Sequence, residues 1–275
     1  MNVVTRRPGG DVAIACPAAT GRMLVALPWR GRLLVGTSQG AELCGPDQTL
    51  VNESEVDAFL VEIDSAFPWL GITREGRMAA VTNYRDGSGA AAARSRGELT
   101  AGFLRGGAAP RAYLKEVVPH AQDYRGYTLI VGDQDQLFAF SNRGGAPEEL
   151  APGLHGVSNH LPNTPWPKIV RGKQRLNALL KAGEAELAAG LFQALADRTV
   201  ASDAELPDSG VGLQRERELS PAFIAGERYG TRATTVILVG RRGDVVIVER
   251  RFGPRGAPLG ETSQRFALQR RAAVS

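Results

Sequence analysis

The chain has 275 residues, 43% of them hydrophobic, which suits one large domain or two small ones and is enough to bury a sizeable core. Its formal charge of +4 and pI near 9.3 come from an arginine-rich usage in which Lys115, Lys168, Lys173 and Lys181 are the only lysines. Basic and acidic residues are interspersed, which argues for a solvated surface and against a nucleic-acid groove, and the lack of any run of about eighteen apolar residues argues against a spanning helix.

From the start, Arg6-Arg7 is followed by no long apolar region, because Asp11 and Pro17 interrupt it, so no secretion signal is expected. The two cysteines, Cys16 and Cys44, lie in no CxxC and in no His-spaced metal geometry; free thiols in a reducing, cytoplasmic setting are the simpler account, with no metal and no cofactor expected. Cys16 is a poor candidate nucleophile, since it is internal, precedes Pro17 and has nothing nearby in sequence to lower its pKa. Val12 to Ala15, Met23 to Leu27 and Leu33 to Gly36 read as short strands, the last two forming a hairpin across Pro28-Trp29-Arg30-Gly31-Arg32. Asn52 with Glu55 reads as a helix cap, Val56, Phe59, Leu60 and Ile63 follow at helical spacing, and the helix should stop before Pro68.

From Trp69 the texture changes. Trp69 to Ile72 and Met78 to Thr82 predict paired strands, Gly87 to Ala93 a loop whose lone GxG is a weak phosphate signal, and Leu99 to Leu104 and Arg111 to Val118 short helices. Thr128 to Val131 and Leu137 to Phe140 predict a hairpin. Leu176, Leu179 and Leu180, then Leu187, Leu191, Phe192 and Leu195, predict two amphipathic helices separated near Gly183. The last hairpin, Thr234 to Val239 and Val245 to Val248 around Gly240-Arg241-Arg242-Gly243-Asp244, is apolar on both faces, which predicts a central antiparallel sheet packed between other layers. The Gly/Pro-rich, basic stretch after Phe252 reads as a frayed tail.

The least generic stretch is Gly153-Leu154-His155-Gly156-Val157-Ser158-Asn159-His160-Leu161-Pro162-Asn163-Thr164-Pro165-Trp166-Pro167-Lys168, where two glycines and three prolines forbid a helix and impose a shaped loop. Its short polar side chains beside Trp166 suit either a pocket wall or an Ω-loop that satisfies its own backbone. Arg232, where Arg228 to Thr235 runs into the last hairpin, sits at a strand mouth. His120, His155 and His160 show no ligand spacing, and surface or loop positions are the default for them, while Asp133 and Asp197 read as structural.

These two segments, taken with Thr82-Asn83-Tyr84-Arg85-Asp86, Ser95-Arg96-Gly97-Glu98-Leu99, Gly132-Asp133, Ser141-Asn142-Arg143 and Ala196-Asp197-Arg198 in that order, resemble the NRDE family, also called transport and Golgi organisation 2, over about 69–252. Residues 11–68, with Pro28-Trp29-Arg30-Gly31-Arg32-Leu33-Leu34-Val35-Gly36-Thr37, resemble instead an internal piece of FAD-dependent glycerol-3-phosphate dehydrogenases, with no flavin phosphate-binding turn before it. The NRDE resemblance implies an α+β fold, an αββα sandwich of the N-terminal-nucleophile-hydrolase type. Here it would be incomplete, because the small α+β leader 1–68 stands where the family's Asn-Arg-Asp-Glu motif and near-terminal Cys belong; 253–275 is the expected tail. Hydrolases of that fold attack with their own first residue. Met1 is followed by Asn2, so no catalytic residue is assigned.

What the resemblance leaves is a pocket. Asn159 is the candidate oxyanion-type donor, Arg232 the cation, Asn83 and Arg85 the wall, and Trp166 its aromatic. The structural alternatives are turns held by Asn83 and Asn159 and an ion pair of Arg232 with Asp86 or Asp197. The family's links to haem and lipid handling imply a small-molecule binding or trafficking role; the alternatives are an amidohydrolase of the N-terminal-nucleophile type and a fragment of a flavin-dependent glycerol-3-phosphate dehydrogenase. Nothing in the pattern sets an oligomeric state.

Overall fold

The computed structural model describes the backbone of 2–4, 14–17, 23–29 and 32–36, and residues 69–87, 94–181, 184–227 and 229–269. The chain divides into two compact units, Met1–Trp69 and Leu70–Ser275. In the first, β1 (Asn2–Val4), β2 (Ile14–Pro17), β3 (Met23–Trp29) and β4 (Arg32–Gly36) form one antiparallel sheet in the order β1-β4-β3-β2. The expected hairpin is β3–β4, with the strands running closer to the turn than the apolar residues suggested, Trp29 opposite Arg32. The helix expected around 52–67 lies outside the described residues, as does most of the loop 87–93.

The second unit opens with a five-stranded antiparallel sheet, β5 (Leu70–Ile72), β6 (Met78–Asn83), β7 (Tyr127–Gly132), β8 (Leu137–Ser141) and β9 (Glu148–Glu149), in sequence order. Register places Ala79 beside Val131 and Val81 beside Leu129, with Phe138 and Phe140 across the next ladder. Side chains alternate across a strand, so these residues and Tyr127 share one face, and all are buried. That face is covered by α1 (Gly97–Arg105), which packs on β5, β6 and β7 with Leu99 and Phe103 buried, and by α2 (Pro110–Val117), which packs on β8 with Leu114 and Val117 buried. Asn142 locks the end of β8: its Nδ2 donates to the carbonyls of Ala121, Tyr124 and Arg125, and its Oδ1 accepts from Tyr127 N at 2.9 Å.

Two helices follow, α3 (Pro167–Leu179) and α4 (Glu184–Leu195), then a short one, α5 (Leu213–Leu219). The shaped loop read through Lys168 ends two residues earlier, because Pro167 has no N–H to leave unsatisfied and its fixed φ suits a first helical position. Among the described residues the apolar hairpin is not in one central sheet but in a second one, of three strands: β10 (Ala233–Val239), β11 (Asp244–Phe252) and β12 (Pro258–Ala267). Val236 and Val245 are fully buried and most of their strand neighbours only half-buried, so the continuous apolar run overstates the burial. β12 corrects the reading of a frayed tail over 258–267; residues 270–275 lie outside the described residues. Arg255 and Gly256, both at positive φ, turn the chain while Gly253 N donates to Ala257 O at 2.7 Å, and β11 then templates a polar strand that its own residues do not advertise.

Candidate functional site

Four of the five sequence-nominated residues come together where the loop 153–166 crosses the ends of β6 and β7. Thr82 Oγ1 donates to Ser158 O at 2.7 Å and Thr128 Oγ1 to His160 O at 2.8 Å, so two strand threonines fix the loop's middle. Arg85 N donates to Asn159 O at 2.7 Å, and Asn159 Nδ2 returns a bond to Asn83 O at 3.2 Å. Asn163 closes the loop on itself in the left-handed region (φ 57), its N donating to Gly156 O and its Oδ1 accepting from Gly156 N and Lys173 Nζ. Gly156 is a close approach: a Cβ there would stand 2.7 Å from Ile169 Cγ2. The loop thus satisfies much of its own backbone and also builds a wall, which joins the two readings that the sequence left open.

Arg85 is the hub. Its guanidinium donates to Glu216 Oε2 at 2.5 Å and to Asn159 Oδ1 at 3.3 Å, and lies 4.7 Å from the centre of the Trp166 ring. The side chains of the Arg85–Glu216 pair are only 9% and 2% exposed. The second oxygen of Glu216 accepts from Ser209 N at 3.1 Å and from Ser209 Oγ. Lys168, in the first turn of α3, donates to Leu219 O at 3.0 Å and sits 5.8 Å from the same Trp166 ring. Burial pushes its ammonium down to about 8, the neighbouring Arg85 adds to the shift, and Glu216 opposes it.

A polar chain lies alongside. Thr164 Oγ1 gives its one proton to Leu161 O at 2.8 Å, so it accepts from His160 Nδ1 at 2.9 Å, which leaves Nε2 to accept from Tyr84 OH at 2.6 Å. The imidazole is therefore held neutral in one tautomer, in line with the downward push that burial gives His160 and the upward push it gives Tyr84.

Between α3, α4 and residues 155–158 opens a cavity of about 410 Å³. Its walls are largely apolar, with Val157, Ile169, Leu176, Leu191 and Leu195 among them; Lys168 and Lys173 supply positive charge, and Ser158 is the one hydroxyl among its described lining residues. None of the five nominated residues is among those lining it, and Arg232 stands apart from the other four as well, exposed at the mouth of β10, where its carbonyl accepts from Phe252 N at 2.8 Å. The carboxylates suggested as its partners have other ones: Asp86 binds Arg143 at 2.9 Å, and Asp197 binds Arg171 and Arg175.

Sequence reasoning passed over Glu216 and Lys168. Glu216 sits in the run Leu213-Gln214-Arg215-Glu216-Arg217-Glu218-Leu219, which reads as a solvated charged helix; its one signal is that it falls three residues before the buried Leu219, on the apolar side. Lys168 carried the signal of being a rare lysine at the end of the shaped loop.

These features define a mixed α+β protein with two antiparallel sheets in its larger unit and a loop-built, cation-bearing cavity; among the described residues no group of three or more His, Cys, Asp or Glu is placed to hold a metal. No described helix is long and apolar enough to cross a membrane. The chain belongs to the Transport and Golgi organisation 2 family, whose sequence profile matches residues 64–254. It is 34% identical over 215 residues to the Transport and Golgi organization 2 homolog of Mus musculus, covering 73% of this chain and 78% of that protein. The Bos taurus homolog is 37% identical over 217 residues and the Homo sapiens homolog 34% over 215, with the same coverage.

Proposed function

We propose that this chain binds a small molecule with an apolar body and an anionic end, haem-like or lipid-like, in the cavity between α3, α4 and the loop 153–166, and that it serves a carrying role in keeping with the transport named in its relatives. The observation that supports this reading is Lys168: a largely buried ammonium with a single hydrogen bond to a carbonyl, lining a cavity that is otherwise mostly apolar. A cation so placed gains from an anionic partner, and the cavity falls within the size range of small-molecule sites. In this reading Asn159, Asn83, Arg85 and Trp166, none of which lines the cavity, brace the wall that Ser158 and Lys168 present to it, and Arg85 is neutralised by Glu216. We also propose that the two sheets are the inner layers of an αββα sandwich. Supporting it, α1 and α2 cover one face of the first sheet, α4 lies on β10, and Arg74 of the β5–β6 turn reaches the Phe266 ring of β12 at 5.7 Å.

The test is a titration of the full chain with haemin, followed by its Soret band, and with dodecanoate, followed by calorimetry. Saturable binding of either is expected, weakened about tenfold or more by Lys168→Gln and abolished by Leu191→Trp, which fills the cavity. Binding of neither ligand, or binding that both variants leave unchanged, would rule the site out.

A further inference from the structure

Four strands end the two sheets of the second unit, and unpaired strand edges are templates for further pairing unless they are short or covered. β9 has two residues; β5 has three and lies against α1; β10 lies against α4. β12 is different. It runs for ten residues, pairs only with β11 among the described strands, has no proline past its first position, and is exposed at nine of its ten residues, including Leu259 at 65%.

The order of its side chains specifies what fits that edge. An antiparallel copy of β12 centred on Ser263 places Glu261 opposite Arg265 and Arg265 opposite Glu261, since a strand that pairs with itself about residue 263 matches residues equally far from it. Thr262 then faces Gln264, and Leu259 faces Ala267. Glu261, Ser263 and Arg265 share one face of the sheet, the face on which Arg250 already donates to Glu261 at 2.7 Å, so Arg265 of a second copy would complete an Arg-Glu-Arg row. Cross-strand pairs of opposite charge stabilise a sheet, whereas a one-residue slip in register would place Glu261 and Arg265 opposite other partners.

We propose that two copies of this chain join edge to edge through β12, centred on Ser263, making one continuous six-stranded sheet. The interface is isologous, each copy presenting the same strand, so the contact closes as a dimer and does not propagate. Its strength comes from backbone hydrogen bonds and its register from the two Glu261–Arg265 pairs. This inference is independent of the cavity, whose residues lie on other elements.

Sedimentation velocity of the full chain over a range of concentrations should show a monomer–dimer equilibrium. Arg265→Glu should weaken it about tenfold by setting like charges opposite each other twice, and adding Glu261→Arg should restore it. Circular dichroism of both variants checks that the fold is retained. In a chain carrying Cys16→Ser and Cys44→Ser, Ser263→Cys should cross-link to its own copy on oxidation, while Leu259→Cys, which would face Ala267, should not. A chain that stays monomeric at every concentration, a dimer that Arg265→Glu leaves intact, or a Ser263→Cys dimer that stays uncross-linked would each overturn the pairing.

Discussion

Glu216 and Asp197 are both buried carboxylates held by arginine, and they are held in opposite ways. Glu216 has a single guanidinium, Arg85, beside the two bonds it accepts from Ser209, in a place almost closed to water. Asp197 is shared by Arg171 and Arg175, which are 24% and 42% exposed, and it also accepts from Thr199 N and Oγ1. The first arrangement braces the loop beside the cavity and has no second cation; the second fastens α3 to the chain that follows α4 and has one to spare. Burial and redundancy, more than the count of ion pairs, decide what each is worth.

The sharpest way to break that contrast is Glu216→Ala, which strands the Arg85 guanidinium and should cost about 3–5 kcal/mol in denaturant unfolding. The paired change Arg85→Met with Glu216→Leu removes both charges and should recover most of that loss, and failure to recover would show that Ser209 and Asn159 need the pair. Asp197→Ala should cost less, about 1–3 kcal/mol, because water reaches the two arginines it leaves behind. Acid sharpens the comparison. Burial alone would raise the Asp197 carboxyl, but the Thr199 bonds and the Arg171 and Arg175 guanidinium groups outweigh it and hold the group at about 2, against an ordinary value of 3.8. Its folded pKa is depressed, so its contribution is present above about 4 and is lost as pH falls toward 2; Asp197→Asn should flatten unfolding curves in that window.

Lys168 runs with the opposite sign. Its folded pKa of about 8 lies below the ordinary 10.5, so the folded chain releases that proton first and the group adds stability as pH rises from about 8 toward 10.5. Haemin or dodecanoate binding should fall over the first part of the same rise as the ammonium discharges, and Lys168→Gln should show neither trend. The smallest effect belongs to Arg175→Ala, within about 0.5 kcal/mol, because Arg171 still holds Asp197.

How far the sequence reveals this molecule follows from the range of the forces involved. The strands β6, β7 and β8, the β7–β8 hairpin and helices α1 and α2 rest on local periodicity and tight turns, so their ends are readable to within a residue or two, whereas α3 begins at Pro167, well before Leu176, the first apolar position that marks it. Asn159 and Trp166 stand out because a stiff, proline-bound loop is unusual in itself, while Asn83 and Arg85 are marked only by the family resemblance. Glu216 does not stand out, since its partner lies 131 positions away and its neighbours in sequence are those of a solvated helix. β12 is hidden for another reason: its pairing is imposed by β11, while its own Pro258, Gly260 and polar residues favour no strand. Arg232 is the converse case, a charge at a strand mouth that the fold leaves apart from the cluster around Arg85.

The reach of Arg85 across 131 positions also bears on the order in which the molecule assembles. Its neighbours in the first sheet pair across shorter spans, Asn83 with Tyr127, whereas its guanidinium waits for Glu216, and closing the longer span costs more entropy. The hub therefore closes late, so the loop 153–166 that it braces is set in place only once α5 has joined the rest of the unit.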